Sequence, residues 1–129
     1  MSRDADPDLE PLLLQVQRQG WLLICCGPRV QPEALAAVRR TECWADVVVL
    51  RGHDRAAAYR TLIQPHDDPF LATEVVWHYL SDAERTLRAV LSIPPAVVAA
   101  MPYPIPQDCR IPEAQRRPVT IRLGGQAYS

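Results

Sequence analysis

The residues best suited to carry out chemistry are Cys25-Cys26-Gly27-Pro28-Arg29, which begin at the end of the apolar stretch 21–26 and lie about five residues before a predicted helix. A cationic neighbour and a helix N-terminus both favour the thiolate, the nucleophilic form of cysteine. Cys26 and Arg29 are therefore candidate catalytic residues. The structural interpretation is that two small buried side chains end a strand and a Gly-Pro turn follows.

The run Cys26-Gly27-Pro28-Arg29 resembles the Cys-Gly-Pro-Cys redox motif of the thioredoxin family, with Arg29 in place of the second cysteine. The predicted order of helix, strand, motif, helix and strand is similar to the start of that fold. Ile93-Pro94-Pro95 also resembles the isoleucine and cis-proline pair of the family. The resemblance implies a thiol protein that uses Cys26, although the missing cysteine removes two-thiol chemistry within the motif.

A second candidate site lies at the ends of two predicted strands, where α/β proteins commonly bind small ligands. Its residues are Gly27, Pro28, Arg29, His53 and Asp54. Elsewhere, the loop 66–68 holds one histidine and two aspartates. No spacing typical of metal ligands supports a site there, so we predict neither a metal nor a cofactor.

The composition excludes several mechanisms, because the chain has fourteen arginines but no lysine. Schiff-base, Ser-Lys and phosphate-loop lysine chemistry all require an ε-amino group. The arginine bias is typical of a GC-rich bacterial genome, and the net charge of −1 argues against nucleic-acid binding. No apolar run approaches the ~20 residues of a membrane helix. An acidic N-terminus and four cysteines without disulfide or zinc spacing predict a cytoplasmic protein.

Hydrophobic periodicity predicts a single α/β (or α+β) domain of about three helices and a small mixed sheet. The uninterrupted apolar segments 21–26 and 46–51 are typical of parallel strands buried on both faces. A helix between them would complete a βαβ unit. The helices are expected over 9–19, 32–42 and 82–92, and further strands over 57–63, 73–80 and 119–123. Ser81-Asp82-Ala83-Glu84 predicts a capping box for the third helix.

The chain divides into a disordered acidic N-terminus (1–7), a core (8–93) and a proline-rich extended C-terminal arm (94–129) of the same domain. Alternating prolines present apolar side chains on a stiff backbone, which suits either self-packing or partner binding. The candidate partner-binding residues are Met101, Tyr103, Ile105, Arg116 and Arg117.

These observations favour a non-enzymatic, cytoplasmic, bacterial protein-binding module that acts as an accessory or regulatory subunit. Its partner would be another protein or a second copy, since an edge strand at 119–123 could pair between chains. The alternatives are the thioredoxin-like thiol protein that uses Cys26 and a small-ligand-binding α/β domain.

Overall fold

The computed structural model describes residues 9–27, 34–94, 101–110 and 116–119, which form an α+β arrangement. Its two α-helices are α1 (Glu10–Arg18) and α2 (Ala83–Leu91). The strands are β1 (Leu22–Cys26), β2 (Ala34–Arg40), β3 (Trp44–Gly52), β4 (Arg55–Leu62), β5 (Glu74–Val75), β6 (Trp77–Ser81), β7 (Tyr103–Pro104) and β8 (Arg116–Val119). Neither helix is long and apolar enough to cross a membrane, a finding that covers only these described ranges.

Five strands form an antiparallel meander, and β8 extends it at one edge. The strand order is β6-β4-β3-β2-β1-β8, and all five neighbouring pairs are antiparallel. β5 and β7 pair separately as a short two-stranded ladder. The meander brings the C-terminal end of β1, the β3–β4 turn and the C-terminal end of β6 to one end of the sheet.

The prediction of a helix over 32–42 is wrong, because residues 34–40 form the central strand β2. Ala34, Ala36 and Val38 pack on one face of the sheet, while Leu35 and Ala37 pack on the other. Pairing with β1 and β3 outweighs the helix preference of an alanine-rich segment. The βαβ unit and the mixed sheet are therefore wrong as well, and the described residues contain two α-helices instead of the three that were predicted.

Both faces of the sheet are covered, which explains the uninterrupted apolar strands without parallel pairing. The helical face packs against α1 and α2; its core includes Leu13, Val16, Leu23, Val48, Ala58, Leu87 and Val90. The opposite face, here called the loop face, packs against β5, β7 and loop segments that contain the 3-10 helices Pro69–Leu71 and Gln107–Cys109. Its core includes Ile24, Cys26, Val47, Tyr59, Val75, Ile105 and Cys109. Burial on both faces hides the alternation expected of antiparallel strands.

The remaining predictions differ from the structure mainly at boundaries. The strand character of 57–63 is confirmed by β4, and the predicted strand 73–80 is divided into β5 and β6. The N-cap of α2 is Asp82, whose carboxylate accepts from the Arg85 N–H at 2.8 Å, whereas Ser81 ends β6.

Residues 101–110 do not project as an arm, because they lie on the loop face with Ile105 and Cys109 buried. Predicted strand 119–123 falls outside the described residues except for Val119, which ends β8. The acidic N-terminal segment 1–7 also falls outside them.

Candidate functional site

One edge of the main sheet is formed by β6, whose outer side is not paired within the part of the chain that the structure describes. β6 pairs with β4 on one side, and no strand of the described chain lies on its other side. Edge strands direct alternate N–H and C=O groups outward, and natural edges block pairing with charged residues or proline. The sequence of β6, Trp-His-Tyr-Leu-Ser, contains no Asp, Glu, Lys, Arg or Pro. Within the described residues, β6 is therefore an unpaired edge strand without a charged side chain or proline.

The opposite edge has the protective residue types that β6 lacks. β8 pairs with β1 through its backbone and has the sequence Arg116-Arg117-Pro118-Val119. Proline cannot donate a ladder hydrogen bond, and charged residues disfavour association of edges. The two edges thus differ in their capacity to bind a further strand.

The side chains of β6 provide apolar contacts on both faces of the sheet. Trp77 and Tyr79 share the helical face, where their rings stack with centroids 6.3 Å apart and planes 9° apart. Leu80 points to the loop face and is 45% exposed. A strand added along β6 would place its own side chains beside these residues.

His78 holds β6 against the proline-rich segment. Its Nδ1 lies 2.9 Å from the Tyr103 hydroxyl, and the two rings meet edge to face with centroids 5.6 Å apart. Burial, together with the nearby Cys109, raises the pKa of Tyr103. The phenol therefore stays protonated, and the contact positions the strand.

A cleft of about 500 Å³ opens at the C-terminal end of β6. It is lined by Leu80 and Ser81 and by the charged residues Arg51, Asp54, Arg55, Asp82 and Asp108. The β3–β4 turn adjoins this end of β6, because the Ala83 N–H donates to the His53 carbonyl at 3.0 Å.

Most of the charged groups in this cleft have partners. The Arg51 guanidinium donates to the carbonyl oxygens of Asp108 and Arg110, and Arg55 lies 3.6 Å from the Asp108 carboxylate. Asp82 caps α2. Asp54 alone among these side chains has no ion-pair or hydrogen-bond partner within the residues that the structure places.

A row of polar side chains crosses the helical face at the other end of the sheet. Arg60 and Asp46 are buried and form a two-point ion pair, with Nε–Oδ1 at 2.6 Å and Nη2–Oδ2 at 3.1 Å. Arg39 reaches the same carboxylate at 3.3 Å and lies over the Trp21 ring, while Arg60 lies over Trp44. Because Arg39 and Arg60 both pair with Asp46, these charged groups stabilise the fold, and we do not assign them to a binding site.

The thiols that the sequence singled out lie inside the protein. Cys26 is fully buried on the loop face, and Cys25 packs at the edge of the helical core. Desolvation and the neighbouring Asp108 raise the pKa of Cys109 to about 11, against a smaller lowering effect of Arg51. All four cysteines fall within described ranges, and no disulfide joins them. The geometry gives the thiol chemistry no support.

The other predicted site residues are only partly brought together. Gly27, with φ of 108°, lies at the same end of the sheet as the turn residues His53 and Asp54. Pro28 and Arg29 fall outside the described residues. The sheet is a meander, so this shared end arises from alternating turns and not from parallel strands.

The candidate partner-binding residues also lie in different parts of the structure and do not form one site. Met101 is 76% exposed, Tyr103 is half-buried and Ile105 is in the core. Arg116 and Arg117 belong to β8, which pairs with β1. The open edge at β6 was missed as a site; the available signal was an aromatic segment without charge between Glu74 and Asp82.

Comparison with protein-family models, with curated proteins and with solved structures finds no match for this chain.

Proposed function

We propose that this protein is a non-enzymatic protein-binding module that takes an extended segment of its partner as an added strand along β6. The observation that carries the proposal is the open, uncharged edge of β6, opposite an edge that contains two arginines and a proline. In strand addition the backbone hydrogen bonds supply affinity, and side chains of alternate residues supply specificity.

The side chains beside the edge suit this role. The half-buried Trp77–Tyr79 stack leaves part of its ring surface accessible on the helical face, and Leu80, which is 45% exposed, offers an apolar contact on the loop face. Tyrosine and tryptophan are enriched at protein interfaces because they combine large apolar area with few rotatable bonds. A partner strand would contact both faces of the sheet at once.

The edge is also held in place before any partner arrives. All five residues of β6 pair with β4, the Tyr103 hydroxyl contacts His78, and Asp82, the N-cap of α2, follows Ser81 directly. A binding element that is already ordered loses less conformational entropy on association. This support favours recognition of a flexible partner segment by a rigid strand.

The proposal retains the setting inferred from the sequence, namely an accessory or regulatory protein of a bacterial cytoplasm.

Peptide selection on the full chain tests the proposal. Random twelve-residue peptides displayed on phage are selected on the immobilised protein, and the enriched sequences are synthesised. Their Kd is then measured for the wild type and for Leu80→Lys, which places a charge on the open edge. The matched control is Leu62→Lys, because Leu62 is 52% exposed but lies on the interior strand β4.

We expect Leu80→Lys to weaken binding at least about tenfold, since lysine on an edge strand disfavours strand pairing. Leu62→Lys should bind the same peptides as tightly as the wild type. Equal Kd values for wild type and Leu80→Lys would place the peptide elsewhere and contradict the proposal, as would a selection that enriches no binding sequence.

A further inference from the structure

The strand β6 contains one side chain that can change its charge near neutral pH. Its sequence has no Asp, Glu, Lys or Arg, so the charge of the strand depends on the imidazole of His78. Histidine is the side chain whose charge ordinarily changes between pH 5 and 8. The edge is therefore uncharged while His78 is neutral and carries a positive charge once His78 is protonated.

The imidazole of His78 lies where an added strand would cover it. His78 pairs with Tyr59 of β4, which belongs to the loop-face core, and the His78 side chain is half-buried on that face. Leu80, the next residue of β6 on the same face, is 45% exposed. A segment paired along β6 would place its own side chains beside these two residues, and would remove more of the imidazole from water.

The tyrosines that face His78 suit a neutral imidazole. Its Nδ1 lies 2.9 Å from the Tyr103 hydroxyl of β7. Burial, together with the nearby Cys109, raises the pKa of Tyr103, so the phenol keeps its proton and can donate it to an unprotonated Nδ1. The hydroxyl of Tyr59 donates instead to the Pro69 carbonyl at 2.7 Å.

The 3-10 helix Gln107–Cys109 also packs against β6, and it supplies no free anion to His78. The pKa of Cys109 is raised to about 11, so the thiol stays neutral. The Asp108 carboxylate lies 3.6 Å from the Arg55 guanidinium and thus already faces a cation. The helix α2 packs on the other face of the sheet. Among the residues that the structure places, none forms an ion pair with His78.

We infer that His78 makes strand addition along β6 sensitive to pH, so that the protein binds its partner while the imidazole is neutral and releases it as the imidazole gains a proton. This inference rests on the proposed function and adds regulation to it. A charge on an edge strand disfavours pairing. An imidazolium covered by an added strand would also lose hydration without gaining a carboxylate of this chain. The proton and the partner therefore compete, and each weakens the binding of the other.

Binding on either side of the pH range in which imidazole titrates provides the test. The Kd of the tightest peptide from the phage selection is measured by calorimetry on the full chain at pH 8 and at pH 5.5, for wild type, His78→Gln and His66→Gln. Glutamine keeps a polar amide beside Tyr103 but cannot become charged. The control residue His66 is 85% exposed and lies in the loop whose carbonyl oxygens bind Arg40 of β2.

An ordinary imidazole is about nine-tenths protonated at pH 5.5, so we expect the Kd of wild type to be roughly fivefold to tenfold higher there than at pH 8. His66→Gln should show the same rise, whereas His78→Gln should lack it. The ionisation of the peptide is the same in all three measurements, so it cancels in the comparison. No rise for wild type, an equal rise for His78→Gln, or tighter binding by wild type at pH 5.5 would overturn the inference.

A second readout requires no substitution. The imidazole resonances of His78 are followed by nuclear magnetic resonance from pH 8 to pH 5, with and without saturating peptide. Because the partner and the proton compete, we expect the midpoint of protonation to lie at lower pH when the peptide is bound. Equal midpoints would contradict the inference, whatever the effect of His78→Gln on folding.

The outcomes also separate this inference from the proposed function. If Leu80→Lys weakens peptide binding but pH has no effect through His78, the edge binds strands without this control, and only the inference falls. If the selection enriches no peptide, or if Leu80→Lys leaves the Kd unchanged, the strand-addition proposal falls and the pH inference falls with it.

Discussion

At the scale of single residues, three arginines of the described chain, Arg40, Arg51 and Arg60, bind carbonyl oxygens of loops that lie against the sheet. Arg40 on β2 donates to the carbonyl oxygens of Gln64, Pro65 and Asp67. Arg51 reaches the 108–110 turn in the same way, and Arg60 donates to the Pro94 carbonyl at 3.0 Å. A proline-rich loop has few N–H donors of its own, so a guanidinium with five donors can satisfy several carbonyls at once. The arginine count alone could not reveal this use.

The buried pair between Asp46 and Arg60 gives a residue-scale prediction. We expect Asp46→Asn to lower the free energy of unfolding by about 3–5 kcal/mol, because it leaves the Arg60 guanidinium buried without its anion. The side chains are only 2% and 1% exposed, so water cannot replace the lost carboxylate. Urea denaturation followed by circular dichroism measures the change.

The control for this variant is Asp108→Asn, which breaks the pair with Arg55. Those side chains are 62% and 66% exposed, so the change should stay within about 0.5 kcal/mol. A loss below about 1 kcal/mol for Asp46→Asn would contradict the role assigned to the buried pair.

At the scale of elements, periodicity predicted most strands and both helices but failed at β2. The segment has a proline before it, alanine and leucine within it and two arginines at its end, which is the local pattern of a helix. Its neighbours decide otherwise, since β1 and β3 would each lose a hydrogen-bonded partner without it. Small residues on both sides of β2 also fit between two packed layers, a property that a single sequence does not distinguish from helix propensity.

The start of α2 gives the element-scale prediction, because sequence and structure assign its cap to neighbouring residues. The Asp82 carboxylate accepts from the Arg85 N–H at 2.8 Å. We therefore expect Asp82→Ala to lower the free energy of unfolding by about 1 kcal/mol through loss of this cap. Thermal and urea denaturation at neutral pH measure the effect.

Ser81→Ala is the matched comparison, since Ser81 is the cap that the sequence pattern indicates. It ends β6 and should change stability by less than about 0.5 kcal/mol. A larger effect of Ser81→Ala than of Asp82→Ala would show that Ser81 caps α2, as the sequence pattern indicates.

At the scale of the whole molecule, the sheet is covered by helices on one face and by irregular segments on the other. The sequence indicated strands buried on both faces but not what covers them, because the loop-face cover comes from distant, proline-rich parts of the chain. For the same reason the open edge could not be predicted. Trp77 and Tyr79 indicate core or interface from sequence alone, and only the strand order shows that β6 is an edge.

The final prediction concerns the cover of the loop face, where Ile105 is only 6% exposed among core residues and Met101 of the same segment is 76% exposed. We expect Ile105→Ala to lower the free energy of unfolding by about 2–4 kcal/mol, through lost burial and the cavity left behind. Met101→Ala should change it by less than about 0.5 kcal/mol. Urea denaturation of both variants makes the comparison within one segment. If Ile105→Ala lowers the free energy of unfolding no more than Met101→Ala does, residues 101–110 do not contribute to the domain core. The segment would then again be a candidate partner-binding element, in addition to β6.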